Sequence, residues 1–237
     1  LMAEKKPRLG ILGGMGPQAT QIFYQRILDR TDAECDQEHL PTLILSDTEM
    51  PDRTAAILSG NAERVYVRLL EDARLLEREG CTAIAIPCNT SHYFVDELQK
   101  ELSVPILHMV RETCKVLAAR GCKRVGILAT DGTICTQTYQ KECAAQGFEG
   151  VAPDEATQKL VMSIIYDEIK KGEKGSREKF AAIDRALRAM GCDAAILGCT
   201  ELSVYRVYHG LPDFYIDAME VLVEKSITAC GKRLRTV

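Results

Sequence analysis

The chain has 237 residues, 46% of them apolar and 27% charged, and a formal net charge of -4. That length suits one large α/β domain or two small ones, and the scattered basic residues exclude a nucleic-acid footprint or a polybasic membrane patch. No apolar run approaches the roughly 18–20 residues of a membrane span, so the expected partner is a small metabolite.

In chain order, short apolar runs with β-branched residues predict strands at 8–12, 42–46, 83–86, 106–109, 125–128, 194–197 and 214–216. Amphipathic stretches predict helices at 18–31, 61–79, 91–102, 110–120, 136–146, 154–170, 176–190 and 218–234. Strand and helix in alternation imply parallel sheets built from βαβ units, whose ligands bind at the carboxyl ends of the strands. Segments 13–16, 88–90, 130–133 and 199–201 each follow a predicted strand, so all four are expected to line one cleft.

The chain is also written twice. From Gly80 it reads Gly-Cys-Thr-Ala-Ile-Ala-Ile-Pro-Cys-Asn-Thr, and from Gly191 Gly-Cys-Asp-Ala-Ala-Ile-Leu-Gly-Cys-Thr-Glu. Gly10, Ile11 and Leu12 correspond in the same way to Gly126, Ile127 and Leu128. A period longer than the roughly 20–50 residues of solenoid units implies duplicated lobes. The expected fold is therefore α/β, with two pseudo-symmetric lobes, each a parallel sheet flanked by helices, and an active site in the cleft between them. The lobes are expected at 1–103 with 212–237 and at 104–211, with Cys88 and Cys199 opposite each other.

Ten cysteines in a secreted chain would suggest disulfides, but the opening Leu-Met-Ala-Glu-Lys-Lys lacks an apolar signal region, and a cytoplasmic protein is expected. No Cys-x-x-Cys pair occurs, and His39, His92, His108 and His209 form no cluster, so no metal is expected. Cys81, Cys122 and Cys192 each follow a glycine and enter an apolar strand, while Cys114, Cys143 and Cys230 lie in helical stretches. All six read as buried or half-buried small hydrophobes. Gly13, Gly14 and Gly16 lack the spacing of a dinucleotide fingerprint, and Pro17 suits the first position of a helix.

Cys88 and Cys199 read differently, because small polar residues follow each at a strand-to-helix turn. A helix N-terminus offers partial positive charge and unpaired N–H groups, which predicts a thiol pKa below the free value of about 8.5. A lone acyl-transfer nucleophile would need a histidine base; His92 stands one helical turn after Cys88, and Cys199 has none nearby. Two facing acid/base groups suit racemisation, in which one thiolate takes a proton and the opposite thiol returns one. The carbanion between those steps needs donors, which Asn89, Thr90, Thr200 and the helix N-terminal amides are placed to supply.

Gly-Gly-Met-Gly-Pro-x-Ala-Thr (Gly13 to Thr20), Pro-Asp-Arg-Thr (Pro51 to Thr54), Pro-Cys-Asn-Thr-Ser-His (Pro87 to His92) and Gly-Cys-Thr-Glu (Gly198 to Glu201) resemble the signatures of the aspartate/glutamate racemase family, in its aspartate branch. The resemblance covers nearly the whole chain. It implies a racemase of two similar lobes that needs no cofactor, acts on aspartate and forms a homodimer. It also implies Cys88 and Cys199 as the catalytic pair, substrate contacts at Met15, Asn89, Thr90, Thr130 and Thr200, and carboxylate anchors at Arg53 and Lys170. Glutamate racemases typically open with Asp-Ser-Gly and carry Cys-Thr-His at the second cysteine, where this chain has Gly-Gly-Met-Gly and Cys-Thr-Glu.

Two auxiliary residues have open readings. Asp52 either orients Arg53 or forms a turn, and Glu201 either orients Cys199 or suits the helix dipole as a first-turn carboxylate. His92 reads as a helix-surface or supporting residue more than as a proton carrier, and 170–179 as a solvated loop with Lys170 alone turned inward. The alternatives are a glutamate or broad-specificity racemase and, in another class, a two-lobed amino-acid-binding protein without turnover.

Overall fold

The computed structural model describes residues 6–236. Strands β1 (Leu9–Gly13), β2 (Thr42–Ser46), β3 (Ala83–Ala85) and β4 (Ile106–Leu107) form one parallel sheet in the order β2-β1-β3-β4. Strands β5 (Arg124–Leu128), β6 (Glu149–Val151), β7 (Ala194–Leu197) and β8 (Tyr215–Asp217) form a second in the order β6-β5-β7-β8. The two orders are the same. So is the register, with Gly10 beside Ile84 and Gly126 beside Ala195, the pairs that the sequence repeat aligns.

Helices α1 (Pro17–Arg30), α2 (Arg53–Leu58), α3 (Ala62–Arg78) and α4 (Val95–Lys100) accompany the first sheet. The chain then runs through α5 (Met109–Ala119), α6 (Asp131–Cys135), α7 (Thr138–Ala145), α8 (Glu155–Met162), α9 (Arg177–Ala189) and α10 (Thr200–His209) to α11 (Ala218–Ala229). It forms two compact units, the first reaching Met109 and resuming at Met219, the second comprising Val110–Ala218. The last helix rejoins the first unit, where Arg30 of α1 pairs with Glu220 and, at 2.9 Å, with Glu224.

The repeated Gly-Cys has a local cause. Helices α3 and α9 both end at a glycine in the left-handed region, Gly80 at φ 87 and Gly191 at φ 73. Gly80 N donates to Glu77 O at 3.0 Å and Cys81 N to Leu76 O at 3.1 Å; Gly191 and Cys192 donate to Arg188 O and Leu187 O at 3.0 and 3.2 Å. These paired bonds satisfy the orphan carbonyls of the helix end. The cysteine then packs where the neighbouring strand must be bare: a Cβ on Gly10 would stand 3.1 Å from Cys81 Sγ, and one on Gly126 2.5 Å from Leu187.

Amphipathic spacing sets the rest of the packing. In α3, Val65, Leu69, Ala73 and Leu76 are buried at helical intervals and the helix lies on β1 and β2. Each fully buried leucine contributes roughly 1.5–3 kcal/mol. Cys81, Cys114, Cys143, Cys192 and Cys230 are buried and Cys122 is half-buried, all as free thiols. Among the described residues, no helix is long and apolar enough to cross a membrane.

Strand pairing moves two segments relative to the sequence expectation. β4 bonds to β3 and β8 to β7, so the chain crosses between units at 109/110 and 218/219, after those strands, not at 103/104 and 211/212. The helix expected at 91–102 is a 3-10 turn, Thr90–Phe94, followed by α4. The helix expected at 154–170 gives way after Met162 to a π turn, Ser163–Glu168, and a 3-10 turn, Ile169–Lys171. β6, α2 and α6 are too short to produce a periodic signal and were not expected.

Candidate active site

In the first unit, the loop after β1 is held by backbone bonds and by one threonine. Thr20 Oγ1 accepts from Gly14 N at 2.9 Å and donates to Gly16 O at 3.0 Å, while Pro17 opens α1. Gly14 sits at φ 90, and a Cβ there would lie 2.5 Å from the backbone of Asp47, just past β2. Met15 is buried and accepts from Ser91 Oγ at 3.5 Å, which ties this loop to the turn after Cys88.

Asp47 organises the loop that leads to Arg53. Its carboxylate takes Arg68 in a two-pronged contact, one prong at 2.8 Å, and Glu49 N at 3.0 Å. The Arg68 guanidinium holds the Asp47 carboxyl below its usual range, against burial. Burial and the Asp47 carboxylate push the adjacent Asp72 up to about 6. Beyond this loop Asp52 caps α2, accepting from Ala55 N at 2.7 Å, and Arg53 Nη1 donates to Pro51 O at 3.1 Å. α2 also touches the 3-10 turn after Cys88. The sequence reading missed Asp47 and Arg68; an aspartate ending a strand beside a glycine loop was the available signal.

Cys88 is buried three residues past β3, and Asn89 and Thr90 after it are buried as well. His92 lies inside the unit, not on a helix surface. Its Nδ1 is 2.8 Å from Cys88 O, and its Nε2 accepts from Met109 N at 3.0 Å. Burial pushes His92 down to about 3, with the neighbouring His108 acting in the same direction and the carbonyls of Cys88 and Leu107 opposing. It is a neutral imidazole.

In the second unit Cys199 is the N-cap residue of α10, in extended backbone, as its place after β7 predicted. Its Sγ donates to Glu201 Oε2 at 2.9 Å, and Lys170 Nζ donates to Glu201 Oε1 at 2.6 Å. Thr200 Oγ1 reaches the same carboxylate at 3.5 Å. Lys170, although remote in sequence, is carried there by the π and 3-10 turns, with the Tyr166 ring 5.5 Å from its ammonium. Thr130 caps α6 just past β5, the strand beside β7, and faces Thr133 Oγ1 at 3.3 Å.

One electrostatic expectation is reversed. Burial, and then the Glu201 carboxylate, push the Cys199 thiol well above its ordinary value, with Lys170 opposing. A helix N-terminus therefore does not lower this thiol, because it is buried and the nearest charge is a carboxylate to which it donates. Cys199 is a proton donor in this state. Glu201 is more than a first-turn carboxylate, since it receives both the thiol and the lysine. Among the described residues, no group of three or more His, Cys, Asp or Glu is placed to hold a metal.

Both the sequence and the fold have known relatives. The Asp/Glu/hydantoin racemase profile matches residues 12–225. The broad specificity amino-acid racemase RacX of Bacillus subtilis (strain 168) is 31% identical over 165 residues, covering 66% of this chain and 70% of RacX. The Picrophilus torridus aspartate racemase superposes with a TM-score of 0.81 at 30% identity, over 97% of this chain and 96% of that one. An aspartate racemase homologue from Pyrococcus horikoshii OT3 shares the fold, with a TM-score of 0.75 at 24% identity over 95% and 99% of the two chains. A profile spanning nearly the whole sequence, over two parallel four-stranded sheets of one topology, places the chain in the Asp/Glu/hydantoin racemase family.

Proposed function

We propose that this protein interconverts L- and D-aspartate without a cofactor, using Cys88 and Cys199 as the two acid/base groups. The observation that carries the reading is the Cys199 thiol, buried at a helix N-terminus and hydrogen-bonded to a Glu201–Lys170 pair. Cys88 occupies the equivalent place after β3 of the repeated sheet. Resemblance in sequence and fold to the Picrophilus aspartate racemase supports aspartate as substrate.

In this reading Cys88 starts as the base and Cys199 as the acid. Cys88 takes the α-proton, and the C–H electron pair remains on the substrate as a carbanion delocalised into its α-carboxylate. Cys199 gives its S–H proton to the opposite face, which leaves the thiolate on Cys199 and the thiol on Cys88. The reverse reaction starts from that state. Arg53 and Lys170 anchor the substrate carboxylates, Arg53 through its planar fork. Asn89, Thr90, Thr130, Thr200 and the α10 N-terminal amides stabilise the carbanion, while Met15 borders the substrate.

Chiral chromatography of L- or D-aspartate incubated with purified protein tests this. The expected result is a racemic mixture from either enantiomer, with no pyridoxal phosphate added and a chelator present. The likeness to a broad-specificity racemase makes a panel of glutamate and neutral amino acids part of the same experiment. Faster turnover of another amino acid would displace aspartate; binding of aspartate with no turnover would make this a binding protein.

A further inference from the structure

We propose that His92 is a positioning residue for Cys88, a strut between the Cys88 carbonyl and the first amide of α5, and takes no part in proton transfer. The inference rests on Cys88 being a reacting thiol. Its basis is the pair of bonds that the ring makes. Met109 N–H is a donor, so Nε2 must be the bare nitrogen; Cys88 O is an acceptor, so Nδ1 must carry the proton. One neutral tautomer satisfies both partners, and protonation would lose the Met109 bond.

The ring is enclosed as well as bonded. His92 is 3% exposed, and His108 stands edge-on to it at 5.3 Å between centroids. With both nitrogens engaged by backbone groups, no ring atom is left to exchange a proton with a substrate or with the thiol. The strut joins two separate pieces of backbone, the turn after β3 and the start of α5, which are 17 residues apart at the Met109 contact. The imidazole holds the carbonyl side of Cys88, whose N–H donates to Ile86 O at 2.8 Å, so removing the ring loosens the peptide that carries the thiol on one side. A thiol displaced by about 1 Å loses on the order of 100-fold in rate.

The test compares His92→Leu, which keeps bulk and loses both bonds, with His92→Gln, which keeps one donor and one acceptor. Two readouts are used: racemisation, and carbamidomethylation of Cys88 and Cys199 followed peptide by peptide. In folded His92→Leu, kcat/KM should fall roughly 100-fold, equally in both directions because enantiomers have equal free energy. The Cys88 alkylation rate should change more than about fivefold while that of Cys199 stays within about twofold, and His92→Gln should lie between Leu and wild type. Should His92→Leu not fold, His92→Gln decides alone, since a flexible amide holds the two partners less firmly and should still displace the Cys88 rate. An unchanged Cys88 rate in a folded variant, or equal changes at both cysteines, overturns the inference. Alkylation needs no turnover, so a wild-type protein that fails to racemise would sink the proposed function while leaving this contrast readable.

Discussion

The two units repeat one sheet topology and one strand register, yet they surround their cysteines with different groups. Cys88 is backed by a neutral imidazole that bonds to backbone at both ends. Cys199 is backed by a carboxylate and an ammonium, and its own proton is part of that network. Duplication thus fixed where each thiol stands relative to its sheet, while residues that differ between the repeats set which groups lie beside it. Position and charge are separately adjustable in such a fold.

The largest effect expected from disturbing this arrangement is loss of the thiols themselves. Cys88→Ala and Cys199→Ala should each lower racemisation by roughly 100- to 10,000-fold, with the thermal transition little changed. Two-way activity near wild type in either variant would remove the distinction between the units. Next is Arg53→Ala, expected to raise KM for aspartate at a cost of roughly 2–5 kcal/mol if the contact is desolvated. Arg53 Nη1 donates to Pro51 O at 3.1 Å. An unchanged KM would return it to an ordinary surface charge.

Charge removal around Cys199 sharpens the comparison further. The Glu201 carboxylate raises this thiol and Lys170 lowers it. Glu201→Gln should therefore speed alkylation of Cys199 near neutral pH by about tenfold for each pKa unit released, and Lys170→Ala should slow it. Neither substitution should alter alkylation of Cys88; matching shifts at both cysteines would contradict the assignment of separate environments.

The smallest effect belongs to the first unit's own charges. Burial and Asp47 raise the Asp72 carboxyl to about 6, so the folded chain binds that proton more tightly than the unfolded chain does. Stability associated with this group is complete below about pH 4 and is lost as pH rises through about 6. Asp72→Asn, whose amide keeps a donor for Asp47, should raise Tm at neutral pH by the equivalent of less than about 1 kcal/mol, the group being half-exposed. The gain should vanish near pH 4 in a calorimetric series.

The parallel sheets, the duplication and the two thiols were legible because each is a local signal: an apolar run, a Gly-Cys helix end, a cysteine followed by small polar residues. The Glu201–Lys170 contact was not, since the two residues lie 31 apart and meet through a π turn that carries no periodic signature. His92 read as either a helix-surface or a supporting residue, and its burial in a 3-10 turn where an α-helix was expected removes the surface reading. The direction of the Cys199 shift was misjudged because the helix dipole was weighed without burial or the carboxylate two residues on. The lobe boundaries slipped by a few residues because β4 and β8 are two and three residues long, and only their pairing shows which sheet they join.

Proton NMR in deuterated water, on wild type, Cys88→Ser and Cys199→Ser, tests the two-thiol account most directly. Wild type should exchange the α-hydrogen of both aspartate enantiomers as it racemises them. Each single variant should exchange the hydrogen of one enantiomer only, without inversion, and the two variants should act on opposite enantiomers. Exchange of the same enantiomer by both variants, or racemisation by either at the wild-type rate, would contradict the account.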